Sequence, residues 1–318
     1  MDRILYLLVR AFLGLLQSLP LTWLARFGRT IGGLAHWLDA RHRRVARRSL
    51  GLCFPEKSPA EIRALTRENF KRIGENFACA IKTGTMNAEQ IRTRLEVVGL
   101  EEFVASGQGQ GPKSRIVAIG HFGNFEAFAQ LARLVPWAQG ATTYRALDVP
   151  VLDKLLLALR ESSGCLFFER RREGEALRIA LREKSLVLAL LSDQHAGDTG
   201  LRLTFFGREC STSRAPAVFA LRYNVPLYTA ICYRTGLARW KVEVGDSIPL
   251  HQANGEPRTM ADIMQDVNHA FEVAVRRDPA NWFWVHNRWK PFRRPKAAAE
   301  PASRGNVPAP ESSAPPVD

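Results

Sequence analysis

A chain of 318 residues, 46% apolar and 24% charged, is long enough to bury a substantial core and has the make-up of an ordinary folded protein. Its net charge of +14 is not ordinary, and it points to an anionic partner, either nucleic acid or a membrane surface. Five cysteines (Cys53, Cys79, Cys165, Cys210, Cys232), an odd number without C-x-x-C spacing, argue against a disulfide framework or a zinc site and agree with a reducing compartment.

The first fifty residues hold nine arginines against Asp2 and Asp39, so half of the excess charge is concentrated there. The run Ile4–Leu19 is too apolar for a nucleic-acid arm, and Arg3, Arg10 and Gln17 recur every seven residues, one narrow stripe on a helix. Arg10 interrupts the apolar run and no small-x-small site follows, which argues against a cleaved signal peptide. The run is marginal for a full span, which takes about 20 largely apolar residues. Residues 1–50 therefore read as a membrane-embedded or interfacial anchor, with the Arg41 to Arg48 cluster held at anionic headgroups on the cytoplasmic side.

Ser58-Pro-Ala-Glu61 is a capping box opening a helix whose Ile62, Leu65, Phe70, Ile73, Phe77 and Ile81 share one face. From Arg115 strands and helices alternate: strand 115–120, helix 125–135, strand 142–145, helix 151–161, strand 165–168, helix 174–183 and strand 185–191. A helix over 214–223, a hairpin-like pair at 225–233 and 239–244, and a last helix over 259–275 follow. The alternation predicts an α/β fold, an αβα sandwich with a mostly parallel sheet, over residues 51–295. Residues 296–318 turn to Ala, Pro, Ser and Gly and read as a disordered tail.

Chemistry is concentrated where apolar strands end. Ile116-Val-Ala-Ile-Gly120 stops on His121-Phe-Gly-Asn-Phe-Glu126, with Asn124 expected to cap the following helix and Glu126 to sit in its first turn, its carboxylate folding back to orient the imidazole. Leu186–Leu191 ends in Ser-Asp193-Gln194-His195, a second polar cluster expected at the same sheet edge. Ser211, Thr212, Ser213 and Arg214 lead into a helix whose free amides suit an anion. Arg145, Arg160 and the Arg170-Arg171-Arg172 run offer guanidinium groups for phosphate or for an acidic carrier protein. His121, Glu126, Asp193 and His195 lack metal-site spacing, so no metal and no cofactor is expected.

His121-Phe-Gly-Asn-Phe-Glu126 resembles the H-x4-D/E block of the glycerolipid acyltransferase superfamily. Leu52-Cys-Phe-Pro55, Glu75-Asn-Phe77, Tyr144-Arg145, Arg160, Asp193-Gln194, Phe205-Phe-Gly207 and the closing Trp282-Phe-Trp284-Val-His286-Asn-Arg-Trp289-Lys290 are similar, in order, to the late acyltransferases of bacterial lipid A biosynthesis. The F-P-E-G-T-R-like block of glycerol-phosphate acylating relatives is missing, which argues against a glycerophosphate acceptor. The resemblance implies a glycerolipid-acyltransferase-like fold with an N-terminal membrane-anchoring helix, at the cytoplasmic face of the bacterial inner membrane. It further implies acyl transfer from a thioester, acyl carrier protein or acyl-CoA, to a hydroxyl of a lipid A precursor, with His121 as general base and Glu126 fixing its tautomer. In that reading Arg145, Arg160, Asp193, Gln194, Ser213 and Arg214 line the substrate site. The alternatives are another glycolipid or lysolipid acceptor, or a non-catalytic basic membrane protein. Nucleic acid is disfavoured, because the arginines cluster beside an apolar run and no nucleic-acid-binding signature is present.

Overall fold

The computed structural model describes residues 2–105, 114–131 and 139–292. The first part is helical: α1 (Asp2–Ser18), α2 (Leu21–Leu38), α3 (Ala40–Cys53) and α4 (Pro59–Thr83). The capping box forms, with the Glu61 amide donating to Ser58 Oγ at 3.3 Å and the Ser58 amide to Glu61 Oε2 at 2.8 Å. Of the expected core-facing stripe on α4, Ile62 and Phe70 are buried, but Phe77 is 48% exposed. Arg29 of α2 clamps α4 by pairing with Glu68 at 2.9 Å and with the fully buried Glu75 at 3.1 Å.

α2 and α4 approach too closely for side chains at the crossing. A Cβ on Gly28 would lie 2.3 Å from the Gly74 carbonyl oxygen, and one on Gly74 2.1 Å from that of Gly28. Gly74→Ala is therefore expected to force the helices apart and cost about 1–3 kcal/mol or more, read as a lowered midpoint in denaturant unfolding. Ala46 and Leu50 of α3 are fully buried in the main core, so the first fifty residues are packed into the fold as well as presenting apolar surface. That surface includes Leu8, Phe12 and Leu15 of α1 and Trp23, Phe27 and Trp37 of α2, all more than half exposed. No single helix among the described residues is long and apolar enough to cross a membrane. Tyr6–Ser18 and Leu21–Leu38 pass that test only as a pair, bent by 118° at the break.

The chain continues through α5 (Ala88–Arg92), β1 (Leu95–Val98) and α6 (Leu100–Ala105) into the alternating region. There β2 (Arg115–Ile119), α7 (Ala127–Leu131), β3 (Gln139–Tyr144), α8 (Pro150–Glu161), β4 (Leu166–Glu169), α9 (Gly174–Glu183) and β5 (Leu186–Leu191) succeed one another. A hairpin of β6 (Leu201–Phe205) and β7 (Arg208–Thr212) precedes α10 (Ala215–Tyr223), β8 (Leu227–Gly236), β9 (Arg239–Ile248) and α11 (Met260–Arg277). The main sheet has seven strands in the order β1-β9-β8-β2-β5-β3-β4, and every neighbouring pair is parallel except β8 and β9. The expected α/β fold with a mostly parallel sheet is therefore present. β1 and the β6–β7 hairpin were not expected. The hairpin turns on Phe206 (φ 53°) and Gly207 (φ 66°), a two-residue turn with both residues left-handed, and phenylalanine is an unusual choice there. The expected tail, 296–318, lies outside the described residues.

β2 is the middle strand, with three strands on either side, and all five of its residues are buried. Ile116 and Ala118 face the core built with α9, α10 and α11, while Val117 and Ile119 face the core built with α2, α4, α5 and α6. The alternation of side chains along this strand joins two apolar layers into a sandwich. The five cysteines are buried and free.

Candidate active site

Strands β2 and β5 lie side by side with Ile119 opposite Leu191, so the residues just beyond them emerge together at the C-terminal edge of the sheet. There His121 Nδ1 meets Asp193 Oδ1 at 2.8 Å, and the His121 amide donates to Asp193 Oδ2 at 2.9 Å. The Trp282 indole donates to the same Oδ2 at 2.8 Å. The imidazole side chain is 16% exposed and the carboxylate 1%, so the histidine is reachable and the acid is sealed behind it. Burial opposes ionisation of Asp193, but the neighbouring imidazole, the His121 amide and the Trp282 indole together hold its carboxyl below the usual range. An ionised carboxylate only accepts, so Nδ1 carries the proton and Nε2 is left as the basic nitrogen. Phe125 and Phe283 flank the imidazole at centroid distances of 4.7 and 5.7 Å.

The expected contact between His121 and Glu126 is absent, and its place is taken by Asp193. Gly123 (φ 50°) docks its amide on the Asn281 carbonyl at 3.0 Å, and Phe122 bridges to Trp282, which pulls the loop inward. The helix consequently starts at Ala127, after Glu126, and the remainder of the expected helix beyond Leu131 falls outside the described residues up to 138. Asn124 is buried, and neither polar atom of its side chain has a partner, so it does not act as the expected cap. Glu126 turns to Arg160 of α8 instead, accepting from Nε at 3.0 Å and from a terminal nitrogen at 2.5 Å.

His121, Glu126, Arg145, Arg160, Gln194 and Ser213 line one cavity of about 860 Å³, within the range of small-molecule sites. Arg145 stands at its edge with its side chain 56% exposed, 4.0 Å from Asp148. Ser213 Oγ accepts from the Ala215 amide at 3.3 Å, a local helix-start contact, and Arg214 is exposed outside the lining. Of the arginine run only Arg170 joins the lining, and Glu169 Oε2 accepts the amides of Arg171 and Arg172. The cavity extends beneath the sheet in both directions from β2. Towards β1 it is walled by Val97, Leu100, Phe103, Val242 and Val244, and towards β4 by Thr142, Tyr144, Leu156, Arg160 and Phe167.

His195 and His286 form a second histidine pair beside this site. The His195 amide donates to His286 Nε2 at 3.1 Å, which requires a neutral His286 ring. Burial, with Lys290 nearby, pushes His286 down to about 4, and burial likewise lowers His195. His286 binds its proton more weakly when folded than when unfolded, so its contribution to stability is complete above about pH 6.5 and is lost as pH falls towards 4. Replacing His286 by Gln is expected to flatten the fall in thermal stability across that window. The roles of Trp282, Phe283, His286 and Arg288 were not legible individually, since each acts on a loop 77 to 94 residues distant or on the His121 ring. The only signal was the aromatic density of the closing block.

Comparison with known proteins bears on what this edge does. Residues 2–291 match the bacterial lipid A biosynthesis acyltransferase family. The lipid A biosynthesis lauroyltransferase of Escherichia coli (strain K12) is 31% identical over 285 residues, 87% of this chain and 89% of that protein. A lipid A biosynthesis acyltransferase of Haemophilus influenzae is 25% identical over 282 residues, 86% of each chain. The lipid A biosynthesis palmitoleoyltransferase of Escherichia coli (strain K12) is 23% identical over 279 residues, 86% of this chain and 87% of that protein. The extent of these matches carries a plain conclusion: the chain belongs to the bacterial lipid A biosynthesis acyltransferase family.

Proposed function

We propose that the protein is an O-acyltransferase that moves a fatty acyl chain from a thioester, carried by acyl carrier protein, to a hydroxyl of a lipid A precursor, with His121 as general base. The observation that carries this reading is the His121–Asp193 pair opening onto a large apolar cavity in a chain of this family. His121 Nε2 removes the acceptor's hydroxyl proton as its oxygen attacks the thioester carbonyl. The tetrahedral adduct collapses with loss of the thiolate, a good leaving group because thiols ionise near pH 8.5. The imidazolium returns its proton to the thiolate, so protons balance over the cycle. Asp193 keeps the productive tautomer and stabilises the imidazolium. Arg160, held by Glu126, and Arg145 at the cavity edge offer cations to the phosphates of the acceptor or of the donor's phosphopantetheine arm.

The cavity's two arms suit the two substrates. With strands about 4.8 Å apart, three strands to either side give each arm a reach of about 14 Å from the strand that bears His121. The β1-side arm is apolar apart from Arg92 and suits the donor's hydrocarbon chain, while the β4-side arm carries Arg160 and Tyr144 and suits a phosphorylated acceptor.

The protein acts at the cytoplasmic face of the bacterial inner membrane. The exposed apolar faces of α1 and α2 support interfacial anchoring, and the arginines of α3 add about 1 kcal/mol each near an anionic surface. α1 also packs against α8, whose Leu156 and Arg160 line the cavity, so the lipid-facing helix and the site adjoin. Purified protein supplied with acyl-loaded carrier protein and lipid A precursor should yield a precursor heavier by one acyl chain, with release of free carrier thiol. Absence of that product across donors of different chain length would remove the reading.

A further inference from the structure

We propose that Trp282 is a positioning residue: its indole N–H selects and holds the orientation of Asp193 against His121, and residues 279–289 form the strap that presents it. The proposal rests on the reading of His121 as base. The two oxygens of Asp193 are chemically equivalent until donors distinguish them. Oδ2 accepts from both the His121 amide (2.9 Å) and the Trp282 indole (2.8 Å), which leaves Oδ1 for the imidazole at 2.8 Å. With both donors on one oxygen, the carboxylate cannot swing without breaking a charge-assisted hydrogen bond in a sealed site.

The indole is itself held on several sides. Asn69 Nδ2 of α4 donates to the Trp282 carbonyl at 2.5 Å and to that of Ala280 at 3.0 Å. Asn281 accepts the Gly123 amide on its backbone oxygen at 3.0 Å and donates its side-chain amide to the Cys232 carbonyl at 2.9 Å. Trp284 stands edge-on to Trp282 at 4.7 Å, and its own indole donates to the Pro279 carbonyl. Further along, His286 accepts the His195 amide and Arg288 donates to the Gln194 carbonyl at 3.1 Å. The same short segment therefore grips the loop bearing His121 and the loop bearing Asp193, and Trp282 touches both. Packing alone would be met by phenylalanine, since the ring is buried among Phe122, Phe205 and Trp284. What phenylalanine lacks is the donor.

The charged and titratable groups facing Asp193 are His121, His286 and Arg288. Trp282→Phe leaves these in place and removes one donor to the carboxylate. The test uses full-length Trp282→Phe and a protein with benzothienylalanine at position 282, which keeps the indole outline without the N–H, and so decides the matter even if the phenylalanine variant folds poorly. At saturating donor and acceptor, kcat is expected to fall about 10- to 100-fold, the loss of one hydrogen bond to a charged group, with KM changed less than about twofold. The acid limb of the pH profile should move to higher pH, because a carboxylate with one donor fewer pulls more strongly on the Nδ1 proton and so favours the imidazolium. In an Asp193→Asn background the same replacement should add less than about twofold, since both act through one group. Unchanged kcat and acid limb, or a full additional loss in the Asp193→Asn background, would overturn the proposal. Absence of acyl transfer by the unaltered protein would instead refute the reading of the reaction on which it rests.

Discussion

Asp193→Asn is expected to lower kcat by about 1,000- to 10,000-fold while the protein still folds. Asparagine is isosteric, so the packing against Trp282 and the His121 loop survives, but its amide offers the ring no charge and presents both a donor and an acceptor. The imidazole then loses the constraint that keeps its proton on Nδ1, and Nε2 ceases to be reliably basic at the cavity. His121→Ala should cost a similar factor, and the double variant little more than either, because the two act as one unit. Glu126→Gln is expected to behave differently. It frees Arg160 from a 2.5 Å pair without touching His121, so its effect should fall on KM for the phosphorylated substrate more than on kcat. Steady-state kinetics of the three single variants and the double variant separate the roles. Equal kcat losses for Glu126→Gln and Asp193→Asn would contradict the assignment of Asp193 as the orienting acid.

The second large effect concerns the choice of acyl chain. Phe103 lines the β1-side arm and is fixed from two directions. The Arg115 guanidinium lies over its ring at 5.3 Å and bonds its carbonyl at 2.8 Å, and Tyr228 packs edge-on at 5.0 Å. Val244→Phe narrows this arm and should shift preference towards shorter donors, whereas Phe103→Leu enlarges it and should shift it towards longer ones. A change of a methylene or so in an apolar pocket is worth about 10- to 200-fold in kcat/KM, and that is the scale expected for the ratio of long to short donors. Leu156→Phe, in the β4-side arm, should leave this ratio unchanged. Mixtures of donors of different length, competing in one reaction and read by product mass, provide the measurement. A shift with Leu156→Phe and none with Val244→Phe would place the donor chain in the other arm.

What was legible in the sequence was local. The alternation of strands and helices from residue 115, the capping box at Ser58 and helix 174–183 are encoded in neighbouring residues, and they are where periodicity placed them. His121 at a strand end was legible for the same reason. Its carboxylate partner was not, because the choice between Glu126 and Asp193 depends on which strand lies beside β2. That neighbour is β5, and it brings in a residue 72 positions away. Glu126 was the nearer carboxylate in sequence, and an arginine from α8 claimed it in space. β1 is only four residues long at the sheet edge, and the β6–β7 turn uses a left-handed phenylalanine where glycine or asparagine is usual, so neither announced itself. The closing aromatic block pointed to a family without disclosing that it straps two loops together, since strapping is a property of contacts across the whole chain.

Catalysis of lipid A acylation by His121 and Asp193 can be read from the mass of lipid A in cells lacking this protein and in the same cells complemented with it. The expected result is loss of one acyl chain in its absence, restored by the unaltered protein but by neither His121→Ala nor Asp193→Asn at equal expression. Lipid A of unchanged mass in the deficient cells, or full restoration by His121→Ala, would contradict it.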